Sequence, residues 1–172
     1  AHASFGARLD ALMSKVTVTS SLALDPALDT YGLMDATTTR LPAMLTSAGN
    51  ARAHSRHPIE RGSVEVEDVV DSQAELRLGA MSLGQAESIM AAAFTANPAL
   101  RELLGAELQG LRASYDAFGS VVGAGIVYGS APTLDIAGLD RELGKALDAL
   151  AKLGSNGSRQ LLQLLVLRES DL

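Results

Sequence analysis

The chain has 172 residues, enough for one ordinary domain with its own core and too few for two comfortable ones. Hydrophobic residues make up 47% of it but aromatic residues only 3%, with no Cys and no Trp; the core must be built from Leu, Ala, Val and Met, which favours close-packed helices and excludes disulfides and thiolate metal sites. A formal net charge of −6 gives a nucleic-acid partner no overall electrostatic support.

Leu9, Leu12, Met13 and Val16 open a first amphipathic helix. Leu24-Asp25-Pro26 interrupts it, because proline disfavours helical geometry at the residue before it and suits the first position of a new helix. Asp25 is the expected N-cap, with Asp29 one turn inside complementing the dipole. Whether the chain reverses or only bends here is left open by the sequence. The second helix carries Met34, Leu41, Leu45 and Ala48 on one stripe and should run to about Arg56. Pro42 lies inside it, removing one donor and crowding the carbonyl of Thr38, so a kink is expected near Thr38 to Leu41; Thr37-Thr38-Thr39 is itself a poor helix sequence.

Arg52, His54, Arg56, His57 and Arg61 gather near the end of this helix, where cations suit the dipole. A solvated helix end is the simpler reading and an anion-attracting patch the other. After His57-Pro58 and Gly62, the run Ser63 to Asp68 supplies a cap and acidic residues for a third helix, whose face continues through Leu76, Ala80, Leu83, Met90 and Phe94. Asn97-Pro98 is a stop and restart, with Asn97 expected to cap. Leu100, Leu104, Leu108, Leu111, Tyr115, Phe118 and Val122 then form the cleanest stripe in the chain and predict one long helix. Gly129-Ser130-Ala131-Pro132 is the last strong turn, before a final helix marked by Leu139, Leu143, Leu147, Leu150 and Leu153. Gly154 to Ser158 could break it, yet the stripe resumes in phase at Leu161, Leu164 and Leu165, so a continuous helix is expected. The fold class is all-α: an elongated up-and-down antiparallel bundle of the four-helix type, with one helix kinked or split at Leu24-Asp25-Pro26.

Few residues suggest chemistry. Tyr31 and Asp35 are four apart and share a helix face with Leu28, so phenol and carboxylate can meet a small ligand, each other, or a neighbouring helix. Arg40 is five residues beyond Asp35, a spacing that does not pair the two on a regular helix unless the Pro42 irregularity alters it; it is an exposed or interhelically bridged arginine, or a clamp for a ligand carboxylate. Gly123-Ala-Gly125-Ile-Val-Tyr-Gly129 superficially follows a dinucleotide fingerprint but is entered by a helical stripe instead of a strand, so close helix approach or a helix end explains it better. His54 and His57 match no metal-ligand pattern, and no nucleophile and base set can be assembled, so neither catalysis nor a cofactor is expected. No run of about twenty apolar residues exists, the longest being Val121 to Tyr128, so the chain as given does not cross a membrane. Ala1-His2-Ala3-Ser4 has neither an initiator Met nor a signal-peptide pattern, and the chain reads as one domain, residues 1–172, excised from a longer protein.

Leu24-Asp25-Pro26, Leu28-Asp29, Tyr31, Leu33-Met34-Asp35 and Arg40-Leu41-Pro42 follow in order and spacing a phrase found in extracytoplasmic sensor domains of bacterial transmembrane receptors. From about Thr19 to Leu45 the chain resembles that class, with one departure: Gly32 replaces the second tyrosine of the usual pair, removing an aromatic ring and introducing a flexible point. Leu161-Leu162-Gln-Leu164-Leu165-Val-Leu-Arg168 is similar to the segment that leads such domains into their second membrane span. The resemblance implies a ligand-sensing domain in the periplasm of a receptor held in the inner membrane by flanking segments, homodimeric in the full receptor. It further implies a small-molecule site lined by Tyr31, Asp35 and Arg40, and a small displacement of the last helix as the signal. The output module could be of the chemotaxis, histidine kinase or diguanylate cyclase kind. The competing reading is a structural or partner-binding helical module without a small-molecule ligand.

Overall fold

A computed structural model describes residues 27–170, and all of its regular structure is helical. Helix α1 spans Leu28–Asp35 and passes without a break into a π-helical segment, Ala36–Arg40, and then into α2, Leu41–Arg61. Helix α3 spans Val66–Ala96, α4 spans Pro98–Gly125 and α5 spans Ile136–Ser170. The expected helix through Leu9 to Val16 and the Asp25 cap lie outside the described residues. Ala27 has extended backbone and stands before the first helical residue, so α1 begins two residues after Pro26.

The π segment is where the sequence is least suited to an α-helix. The Leu41 N–H donates to the Ala36 carbonyl, five residues back, and the Thr37 and Thr38 hydroxyls donate to the carbonyls of Leu33 (2.7 Å) and Met34 (2.8 Å). Pro42 has no N–H to give and would crowd Thr38 in regular register; widening the turn by one residue accommodates it. The kink expected near Thr38 to Leu41 is therefore a π turn. Beyond it, the buried stripe is Leu41, Met44, Ala48, Ala51, Ser55 and Pro58, and the predicted Leu45 is 40% exposed. Steps of three and of four from Leu41 both reach an apolar side chain, and packing selected Met44.

Helix α2 also outruns its predicted end at Arg56. Pro58 is buried within it, and the helix closes only at Gly62, whose φ of 78° is the left-handed conformation glycine adopts freely. Helix α3 starts inside the expected run, with the Asp68 carboxylate accepting from the Glu65 N–H at 2.7 Å. The break at Asn97 and the restart at Pro98 fall as predicted. Asn97 makes no side-chain cap, however, because its amide is drawn to another helix.

All seven stripe residues of α4, from Leu100 to Val122, are buried. They meet Leu33, Met44, Leu83, Met90, Leu139 and Leu153 from the other helices in one core. Helix α2 packs on α3, α3 on α4, α4 on α5, and α5 on α2. Gly79 leaves room for the Tyr115 ring, whose hydroxyl donates to the Leu76 carbonyl at 3.0 Å. The Gly154 to Ser158 stretch stays helical. Gly125, within the run that superficially follows a dinucleotide fingerprint, lies where a Cβ would fall 2.5 Å from that of Leu134, as close approach requires.

Candidate functional site

The π turn changes what the spacing of Asp35 and Arg40 means. The widened turn with its i→i+5 register brings these side chains onto neighbouring positions, and the Arg40 Nε donates to Asp35 Oδ2 at 2.9 Å. The same guanidinium reaches α3, where its Nη1 donates to Gln85 Oε1 at 2.7 Å. Asp35 is buried, and the Arg40 side chain is about one-third exposed. Together they form the polar end of a groove of about 680 Å³ between the π segment and α3, whose other lining is Met81, Gly84, Gln85, Ser88, Ile89 and Ala92. One charged fork beside a mostly apolar wall suits a small molecule with an acidic group and a compact hydrocarbon body.

Tyr31 is not in this groove. It lies one turn before Asp35, 38% exposed, and its hydroxyl has no hydrogen bond among the described residues. Leu28, on the same predicted face, is 59% exposed. Gly32, by contrast, is buried at a close crossing: a Cβ there would sit 2.8 Å from Ala93 Cβ and 2.9 Å from the Ile89 carbonyl oxygen of α3. What the sequence suggests as a flexible point is a tight contact, and an aromatic ring at this position could not be seated without moving α1.

Sequence reasoning assigned Asp29 to the helix dipole, but the structure gives it a larger network. Its carboxylate accepts from the Thr30 N–H at 2.8 Å, from the Asn97 side chain at 3.2 Å and from the Arg168 guanidinium near the end of α5; Arg168 also reaches the Thr30 hydroxyl. Burial pushes the Asp29 carboxyl up, but the hydrogen bonds from Asn97, Arg168 and Thr30 outweigh it and hold the group below the usual aspartate value. Nothing local connected Asp29 and Arg168 across 139 positions.

Four of the five residues of the basic cluster lie against carboxylates. Arg52 bonds Asp140 at 2.6 Å, Arg56 bonds Glu60 at 2.7 Å, Arg61 pairs with Asp68, and His54 lies 3.7 Å from Asp71. Among the described residues no group of three or more His, Asp or Glu side chains is placed to hold a metal, and no helix is long and apolar enough to cross a membrane. Comparison with protein-family models, curated proteins and solved structures finds no match to this chain.

Proposed function

We propose that this chain is the ligand-sensing extracytoplasmic domain of a bacterial transmembrane signalling receptor, binding a small carboxylate in the groove between the π segment and α3. The observation that carries the reading is the Asp35–Arg40 pair, set by the π turn at the mouth of an otherwise apolar groove. A ligand carboxylate would take Arg40 N–H donors in place of Gln85, while Met81, Ile89 and Ala92 receive its hydrocarbon part. Tyr31, one turn along the same helix but outside the groove, is the proposed site residue that would have to move to reach the ligand. The fold we propose for this role is an elongated up-and-down antiparallel four-helix bundle. Its support is the order of the cross-helix partners: Arg40 with Gln85 but Ser55 with Ser72, and Arg52 with Asp140 but Asp29 with Arg168. In the receptor the domain would lie in the periplasm, dimerise, and pass ligand state to a cytoplasmic output through the last helix.

The test is thermal unfolding with matched probes, isovalerate against isovaleramide and benzoate against benzamide. A ligand at ten times its Kd stabilises by about 1.4 kcal/mol, a few degrees for a domain of this size. The acids should raise Tm and the amides should not, and Arg40→Gln should abolish the effect; equal shifts from acid and amide, or none from either, refute the reading. One observation favours the partner-binding alternative: Leu162, Val166 and Leu167 are more than half exposed on one stretch of α5. Sedimentation of the chain with Leu162→Glu and Leu167→Glu variants measures whether that surface associates.

A further inference from the structure

Building on the groove as the ligand site, we infer that α1 works as a lever pivoting at Gly32, which reports the state of the Asp35–Arg40 groove to the end of α5 through the Asp29–Arg168 ion pair. Asp35 lies three residues after Gly32 and Asp29 three before it, so each arm is about 4.5 Å long at 1.5 Å per residue. Gly32 touches backbone and side chain of α3 at a distance where nothing more fits, so a molecule wedged between α3 and the Asp35 arm tilts α1 about that contact. The Asp29 arm then moves the opposite way.

That arm is held by directional bonds as well as by the burial of Thr30 in the bundle. Asp29 Oδ2 accepts from Asn97 at the α3–α4 corner, and Oδ1 accepts from Thr30 and Arg168. Hydrogen bonds weaken steeply with distance and angle, so a displacement of about 1 Å is enough to exchange one set of partners for another. Arg168 lies in the last turn of α5, so its attachment adds to the packing of Leu161, Leu164 and Leu165 in holding that end to the bundle. A second contact belongs to the same unit: Gly157 of α5 packs on Thr37, where a Cβ would lie 3.0 Å from the threonine methyl. Helix α1 and the π segment continuous with it therefore meet α5 on both sides of the pivot.

Amide hydrogen exchange on the whole chain tests this without any ligand. Asp29→Asn should speed exchange of the amides from Leu161 to Arg168 by roughly tenfold, and Arg40→Gln, remote in the groove, should speed the same amides by roughly threefold or more, with α4 unchanged. The double variant should exchange no faster than Asp29→Asn alone, because both changes act through one joint. If Asp29→Asn does not fold, Arg168→Gln takes its place, since that side chain is one-third exposed. Unchanged α5 amides in Arg40→Gln, or a double variant whose effect is the product of the two, overturns the lever. The outcome is separable from the ligand reading: a domain that no carboxylate stabilises can still show the coupling, and one that binds carboxylate can lack it.

Discussion

Placing a methyl group on Gly32 probes the contact on which both the packing of α1 and its pivot depend. The new Cβ would lie 2.8 Å from Ala93 Cβ and 2.9 Å from the Ile89 carbonyl oxygen. Carbon atoms prefer about 3.5–4.0 Å, so α1 and α3 must part by about 0.7 Å or more. Overpacking of this kind costs about 1–3 kcal/mol, while a helical Gly→Ala change returns about 1 kcal/mol, leaving Gly32→Ala less stable by about 1 kcal/mol. Gly144 in α5 is the control, since nothing lies within 4 Å of its Cβ direction. Gly144→Ala should gain about 0.5–1 kcal/mol, so the two variants should differ by about 2 kcal/mol, or roughly 4–8 °C in Tm. Thermal unfolding followed by far-ultraviolet circular dichroism measures this. Adding Ala93→Gly to Gly32→Ala relieves the side-chain clash but leaves the backbone one and itself costs about 1 kcal/mol of helix propensity, so it should return little net stability. A Gly32→Ala protein as stable as Gly144→Ala would refute the close crossing.

Tyr115 gives an independent check at high pH. Burial pushes its phenol up to about 12, the negative charge of Glu75 adding to the effect. A raised acid pKa contributes stability that is intact below the unfolded value near 10 and is lost as pH climbs through about 12; in a Tyr31→Phe, Tyr128→Phe background, a phenolate absorbance midpoint near 10 would contradict the buried ring. Asp29 acts at the acid end. Its folded pKa is lowered, so its contribution is present above the unfolded value near 3.9 and fades as pH falls through the folded one; Asp29→Asn should flatten that part of the stability curve, and an unchanged acid limb would exclude the network. Tyr115→Phe removes the hydrogen bond to the Leu76 carbonyl and should cost about 1 kcal/mol in denaturant unfolding, with no cost arguing that the bond is not made in solution.

Much of the fold was legible because it rests on local signals. The α4 stripe reads correctly since spacings of three and four bury the same face whatever helix lies opposite. Asn97-Pro98 stops one helix and starts the next by backbone geometry alone. The continuity of α5 through Gly154 to Ser158 was legible from the phase of its leucines, but its purpose was not: Gly157 is small because Thr37 sits against it. Pro58 misled the reading in the other direction, because a buried proline in the last turns ends nothing when the neighbouring helices hold the turn in place.

The sequence by itself determined which segments are helical, where most begin and end, and that Tyr31, Asp35 and Arg40 cluster in one irregular stretch. Only the tertiary structure decided how that stretch is used. A π turn places partners five apart in contact, a geometry that helical periodicity does not contain, and so Asp35 and Arg40 meet while Tyr31 stays outside their groove. The Asp29–Arg168 pair and the Gly32 crossing likewise depend on which helices become neighbours. That is settled by the packing of a shared core, and no local pattern of residues encodes it.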